Sequence, residues 1–322
     1  MANNAILRTD AESLIPEQIS KEIIQGTVEQ SAVLSLFRRL PNMTSKTTTM
    51  PVLDMLPVAY FVNGDNGTKQ TTKMAWDKKK IHAEEIAVIV PIPEAVLDDA
   101  DYDIWGEVKP RLYEAFGKKI DGAVLFGEDK PDNWRDDIFT TATNASTVVK
   151  ETADIYQDIM GVGGVISKIE ESGYFPSGVI SAVQMRAKLR GLKDGDGRPL
   201  YKSDMQGATP YALDGNPMYF PRNGSFLPTK AHMIAGDFSQ GVYAVRQDIT
   251  FKIFDQGVVQ DPSTKEIIYN LMQNDMVALR AVMRLGWEIP NPINSLQNDK
   301  NKRCPFAVYT PAEIGGSVRG KG

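Results

Sequence analysis

Residues Lys78 to Trp105 read KKKIHAEEIAVIVPIPEAVLDDADYDIW, and the pattern changes twice along them. Up to Val90, polar and apolar positions alternate around β-branched residues, which is the mark of a strand with two unlike faces. Pro91-Ile92-Pro93 then removes backbone donors and closes the strand-like run. Glu94 to Asp99 supplies one or two helical turns, and Asp103 stands as N-cap of a long helix that reaches Phe126 and ends at Gly127. Its apolar stripe is Ile104, Val108, Leu112, Phe116, Ile120, Ala123 and Val124, widened by Tyr113 and Leu125. Pro110, about two turns in, is expected to bend it.

Upstream, Thr47 to Leu53 and Val58 to Val62 are strand-like. The turn residues Asn63-Gly64-Asp65-Asn66-Gly67 separate them from the strand-like stretch Lys73 to Val90. The implied hairpin is long, and Thr68, Lys69, Gln70, Thr71, Thr72 and Lys73 near its tip offer almost nothing apolar to bury. Such a hairpin is not stable alone and does better lying across another molecule. Further back, Pro16 opens an amphipathic helix with Ile19, Ile23, Ile24, Val28, Ala32, Leu36 and Phe37 on one side, stopped by Pro41. The pattern serves equally for a helix packed on its own domain and for an arm packed on a neighbour.

Downstream, a polar connection from Glu128 to Ala145 leads to helix-like Lys150–Ser172, strand-like Gly178–Ser181 and helix-like Val183–Gly191. Gly197 to Pro228 is rich in Gly, Pro and Asn, as in long loops around short strands at Tyr201 and Pro217–Phe220. The remainder is strand-rich: Met233–Gly236, Gln240–Gln247, Ile249–Phe254, Val277–Trp287 and Cys304–Tyr309, with Ile267–Met272 readable either way. Arg280 and Arg284, four apart on one strand, share a face. The sequence thus reads as an α+β chain.

Composition limits the chemistry. Of 322 residues, 36 are basic and 41 acidic, so the net charge is -5, a poor endowment for gripping a phosphate backbone. No apolar run approaches the roughly 18 residues of a spanning helix, and the polar N-terminus is unlike a secretory signal. Two histidines, His82 and His232, and one cysteine, Cys304, cannot build the usual zinc centres or a disulfide. No serine sits in a nucleophile elbow, and Gly161-Val162-Gly163-Gly164 lacks the last glycine of a dinucleotide fingerprint. Asp194-Gly195-Asp196-Gly197 reads as a solvated turn rather than a calcium loop, because Met205 stands where the closing glutamate belongs. The adjacent carboxylates Glu84/Glu85 and Asp98/Asp99 diverge on a strand or a helix and do not share a site easily. No catalytic, cofactor or metal site is expected.

The order of arm helix, long hairpin, long helix, α/β insertion and Arg-bearing strand resembles the tailed-bacteriophage major capsid proteins of the Hong Kong 97 lineage. PVLDMLPVAYFVNGDNG (Pro51–Gly67) resembles the family's extended loop, and the opening stretch resembles the strand that returns from it into the spine helix. KKIDGAVLFG (Lys118–Gly127) resembles the end of that helix. GDFSQGVYAVRQDITFKIFDQG (Gly236–Gly257), NDMVALRAVMRLGWEIPNP (Asn274–Pro292) and the closing PFAVYTP resemble the C-terminal strands.

The resemblance implies an N-terminal arm (1–44), an extended loop (45–80), a peripheral domain around the spine helix (81–145 and 231–322) and an axial domain (146–230). It implies a subunit that self-assembles through hexamers and pentamers into an icosahedral shell around phage double-stranded DNA, in the virion after assembly in the host cytoplasm. A separate scaffolding protein, a portal and a decoration protein are the further partners, and no membrane is involved. Since only 15 residues precede Pro16, scaffolding is expected from another chain, or the sequence is a mature form. The contacts between subunits are assigned to Ile19, Ile23 and Phe37 in the arm, Thr68 to Lys73 in the loop, and Arg280 and Arg284 on the sheet. An encapsulin-like compartment shell around protein cargo is the alternative with the same fold. One branch of the family joins a loop lysine to an asparagine with help from a glutamate. Lys69 and Lys73 offer amines here, but the partner positions fall on Asp275 and Val282, with Asn274 one residue away, so no covalent cross-link is expected.

Overall fold

The computed structural model describes residues 31–57, 59, 71–95, 104–193, 212–261 and 263–312. The expected contacts Ile19, Ile23, Thr68, Lys69 and Gln70 lie outside the described residues, as do Val58, Tyr60 to Val62, the Asn63–Gly67 turn, Asp98, Asp99, the Asp103 cap, Asp194–Gly197 and Tyr201.

From the N-terminal side, helix α1 (Ala32–Leu36) is followed by the two-residue strand β1 (Arg38–Arg39), then β2 (Thr47–Met55), β3 (Ala75–His82) and β4 (Glu84–Pro93). The long helix α2 (Ile104–Phe126) includes Pro110, whose missing donor falls in its second turn. Next come α3 (Ile138–Asn144), β5 (Val148–Lys150), α4 (Ile155–Met160), α5 (Val165–Glu171), β6 (Gly178–Ser181) and α6 (Met185–Arg190). Strands β7 (Ala212–Leu213), β8 (Asn216–Tyr219), β9 (Met233–Gly236), β10 (Val242–Phe254), β11 (Val258–Gln260), β12 (Ile267–Asn270), β13 (Met276–Glu288) and β14 (Phe306–Thr310) complete the chain.

Two principal sheets organise these elements. The first has the order β1-β10-β13-β4. β10 and β13 pair antiparallel from Val242↔Glu288 to Phe254↔Ala278, with irregularities around Gln247. That bulge explains why the sequence divides this strand in two at Gln247 and Ile249. β4 pairs with β13 from Glu84↔Leu285 to Pro93↔Met276, so its two prolines sit on an edge strand. One face of this sheet, through Leu279, Ala281, Met283 and Leu285, shares a core with Leu112, Phe116 and Ile120 of α2.

The second sheet has the order β5-β14-β9-β6-β8-β7. β9 and β14 enter it from beyond residue 230, so it draws on both sides of the boundary expected at 230/231. A separate core of Ile159, Val165, Ile169, Val179, Leu189, Met233 and Tyr309 packs beneath it.

Several sequence expectations are corrected. The arm helix does not run to Pro41: it ends at Leu36, because Arg38, Leu40 and Met43 donate their amides to Gly241, Tyr243 and Val245 along β10. Lys150–Ser172 is two short helices, broken at Gly161–Gly164, where Gly163 takes a positive φ of 76°. The Glu128–Ala145 connection holds α3, capped by Asp137, whose carboxylate accepts from the Thr140 amide at 2.9 Å. Ile267–Asn270 is a strand, β12, paired with β11.

Candidate assembly surfaces

The end of the arm is fixed on the long helix by a carboxylate set in an apolar run. Asp121, fully buried, accepts from Ser31 Oγ at 2.6 Å and from the Ala32 and Val33 amides at 3.1 Å each; Ser225 Oγ is 3.4 Å away. Ser31 in turn caps α1 by accepting from the Leu34 amide at 3.1 Å. Two free N–H groups and the positive end of α1 therefore face one carboxylate. Burial pushes the Asp121 carboxyl up to about 6, against the bonds from Ser31, Val33, Ala32 and Asn223 that favour its charged form. Sequence reading missed this residue; the signal was an acid inside the apolar end of the helix, Ile120-Asp121-Gly122-Ala123-Val124-Leu125-Phe126.

Phe37 follows directly. It is 5% exposed and packs against Phe238 and Trp287, with ring centroids 6.3 and 6.2 Å apart, inside its own chain's main core. For this residue the arm pattern describes packing on its own domain, and nothing of the ring is left for a neighbour.

The β2–β3 hairpin is anchored at its base and along one face. Thr47 pairs with His82, whose Nδ1 lies 3.3 Å from Thr47 Oγ1, and Ile81 and Val52 are buried. Gly286 of β13 sits under this base: a Cβ there would lie 2.4 Å from the His82 carbonyl oxygen, so only glycine lets the two strands approach. Further out, Lys300 bonds Asp77 at 2.6 Å, holding its carboxyl below the usual range, and the Ile293 amide donates to Leu53. The hairpin thus has more of its own chain to lean on than the sequence suggested. Its other face is bare. Trp76 is 63% exposed, and Lys78 and Lys80 are exposed beside it. Thr71, Thr72 and Lys73 are exposed before β3 begins.

Arg280 and Arg284 share a face of β13, as their spacing implies. Arg284 pairs with Glu85 of β4, and the Arg280 guanidinium lies 4.9 Å from the Phe254 ring centre. Glu84 instead takes Asn133 at 2.9 Å and Lys46 at 3.7 Å, so these adjacent acids serve different partners. A groove of about 390 Å³ opens between β4, α2 and the following loop, lined by Ile86, Val88, Ala115 and Phe116 with Glu85, Lys119 and Asp129 at its rim.

Within the second sheet, Glu151 gathers Lys188 and His232, the latter at 3.0 Å. Burial opposes the Glu151 charge, but the bonds from Lys188 and His232 outweigh it and hold the carboxyl below its ordinary range. Tyr309 donates to Asp158 at 3.0 Å, and burial and that bond push its hydroxyl far up. Both networks tie short helices to sheet strands. Among the described residues no group of three or more His, Cys, Asp and Glu is placed to hold a metal, and no helix is long and apolar enough to cross a membrane.

A mixed two-sheet body with a long helix, a protruding hairpin and an arm anchored beside it is the arrangement the resemblance implies. The sequence model of the phage capsid family matches residues 11–295. The chain belongs to the phage capsid family. The major capsid protein of Staphylococcus phage 80alpha is 25% identical over 288 residues, 89% of this chain and 85% of that protein. A solved chain from Mycobacterium phage Adephagia superposes with a TM-score of 0.74 at 32% identity, covering 95% of this chain and 98% of that one. One from Microbacterium phage Oxtober96 gives 0.75 at 32% identity, covering 95% and 99%. The fold is therefore the phage capsid fold, and the protein's role is structural, as a capsid component of the virion whose kind assembles with copies of itself. The compartment-shell alternative is not favoured by relatives of this description.

Proposed function

We propose that this capsid protein builds an icosahedral head of hexamers and pentamers around phage double-stranded DNA, packing the DNA without reading its sequence. The single observation that supports this most is the match of the family over residues 11–295, hairpin and arm included. Scaffolding from a separate chain, a portal and a decoration protein complete the proposed set of partners, with assembly in the host cytoplasm. The peripheral unit is taken as the β1-β10-β13-β4 sheet with α2, and the axial unit as the six-stranded sheet with α4, α5 and α6. On this division β9 and β14 join the axial unit. Thr68 to Lys73, Arg280 and Arg284 are kept as proposed contacts, along with Ile19 and Ile23 of the arm; Phe37 is not.

The test is expression of the chain alone and with a scaffolding protein, followed by negative-stain microscopy and light scattering. Closed shells, hexamers or pentamers are expected, with DNA inside particles recovered from infected cells. Deleting Asn63–Thr72 is expected to leave a folded, assembly-poor monomer; normal shells from that deletion would remove the hairpin from the proposed contacts.

A further inference from the structure

The bare face of the hairpin and the groove beside β4 lie on different parts of one chain and suit each other. Between Thr47 and His82, the span of the hairpin, five basic side chains stand against three acidic, a balance of +2 in a chain of net charge -5. The rest of the chain carries 31 basic and 38 acidic side chains, a balance of -7. A basic projection on an acidic body is attracted to the body of another copy.

The detail sharpens this. On the hairpin, Trp76, Lys78 and Lys80 share one exposed face, and neither lysine has an ion-pair partner among the described residues. Tryptophan is among the residues enriched at binding hot spots, and the neighbouring lysines add charge that steers toward an acidic partner. The groove has an apolar floor, Ile86, Val88, Ala115 and Phe116, and one wall is β4, an edge strand of its sheet among the described residues. An uncovered edge is the place where another chain is accepted. Its volume of about 390 Å³ admits an indole. The loop that borders it carries Glu128 and Asp132, both exposed and without an ion-pair partner among the described residues. A projection on one part of a subunit that fits a recess on another makes a head-to-tail contact, and such contacts close into rings where the rotation between copies closes.

We propose that Trp76 of one copy seats in the groove between α2 and β4 of the next, with Lys78 and Lys80 facing Glu128 and Asp132 of that copy. The inference rests on the shell-subunit reading and names the contact within it. It places the energetic centre of the hairpin contact at Trp76 on the returning strand, beyond the polar Thr68–Lys73 stretch.

The test uses the full chain carrying photoreactive benzoylphenylalanine in place of Trp76, assembled as a mixture of light and nitrogen-15-labelled copies and irradiated. Mass spectrometry of the joined peptides is expected to find mixed-label links to Ile86, Val88, Ala115 or Phe116. In parallel, Trp76→Ala is expected to weaken association about tenfold or more while the circular dichroism of the monomer is unchanged. Ala115→Phe, which fills the groove from the other side, is expected to do the same. Shells with links to other sites, to the same copy or to DNA overturn the contact while leaving the subunit reading intact. Absence of shells and rings from the unmodified chain under every condition overturns both.

Discussion

Asp121 makes a pH prediction with a definite sign. Its folded value of about 6 lies above its ordinary 3.8, so the native state holds the proton more tightly. Its ionisation therefore adds no penalty below about pH 3.8, a growing one between there and about 6, and the full one above. A shift of this size corresponds to roughly 3 kcal/mol. Comparing the chain with Asp121→Asn by urea unfolding from pH 4 to 7, the stability of the native residue relative to Asn is expected to fall by that order as pH rises. A pH-independent difference would show that the carboxylate stays solvated. Phe37→Ala is expected to cost about 3–5 kcal/mol in the same measurement, since it empties an aromatic site between Phe238 and Trp287. Arg284→Ala breaks only a half-exposed pair with Glu85 and should change monomer stability by less than about 1 kcal/mol. A large loss of assembly from the same substitution, read by light scattering, would then assign Arg284 to a contact between copies.

At the scale of elements, legibility in the sequence followed periodicity and failed where tertiary contacts set the boundaries. The long helix, β4 and β13 are readable because each keeps one period, and β6 and β9 because each is a short apolar run bounded by turn residues. The arm helix reads as far as Pro41 because nothing before that proline breaks it, and only the partner β10 turns Arg38–Arg39 into an outer strand. Gly161–Gly164 was weighed as a ligand loop, whereas its work is to separate two helices. The candidate surfaces were half legible. Lysines in a polar hairpin announce exposure, but nothing in the sequence marks Trp76 as exposed until the pairing Leu53↔Trp76 shows which face the chain itself covers. Asp121 is legible only as an acid among apolar neighbours, and Arg135 and Arg303 are not legible in the sequence. Their roles depend on distant partners: Ser31 for the first, Glu288 and the Ile289 carbonyl for the second, and Asn291 and the Gln297 carbonyl for the third. The absent acceptor pair at Asp275 and Val282 belongs to this scale as well. Shells boiled in SDS are expected to run as intact monomer bands, and ladders of higher mass would mean that Asn274 has taken over the cross-link.

At the scale of the whole molecule, the two sheets are joined by three passages. One leads from β4 through α2 and α3 to β5, one is the short run from β9 through the 3-10 turn Phe238–Gln240 into β10, and the third runs from β13 to β14. β9 and β14 are adjacent in one sheet and β10 and β13 in the other, so the same pair of chain segments forms the middle of both. Were a load to act along β10 and β13, it would meet the long antiparallel ladder between them. Their cross-strand bonds then bear the load side by side, as rungs sheared together, and do not open one after another as in a zip. The two register shifts on either side of Gln247 interrupt that ladder, and it is there that such a load would find the fewest rungs.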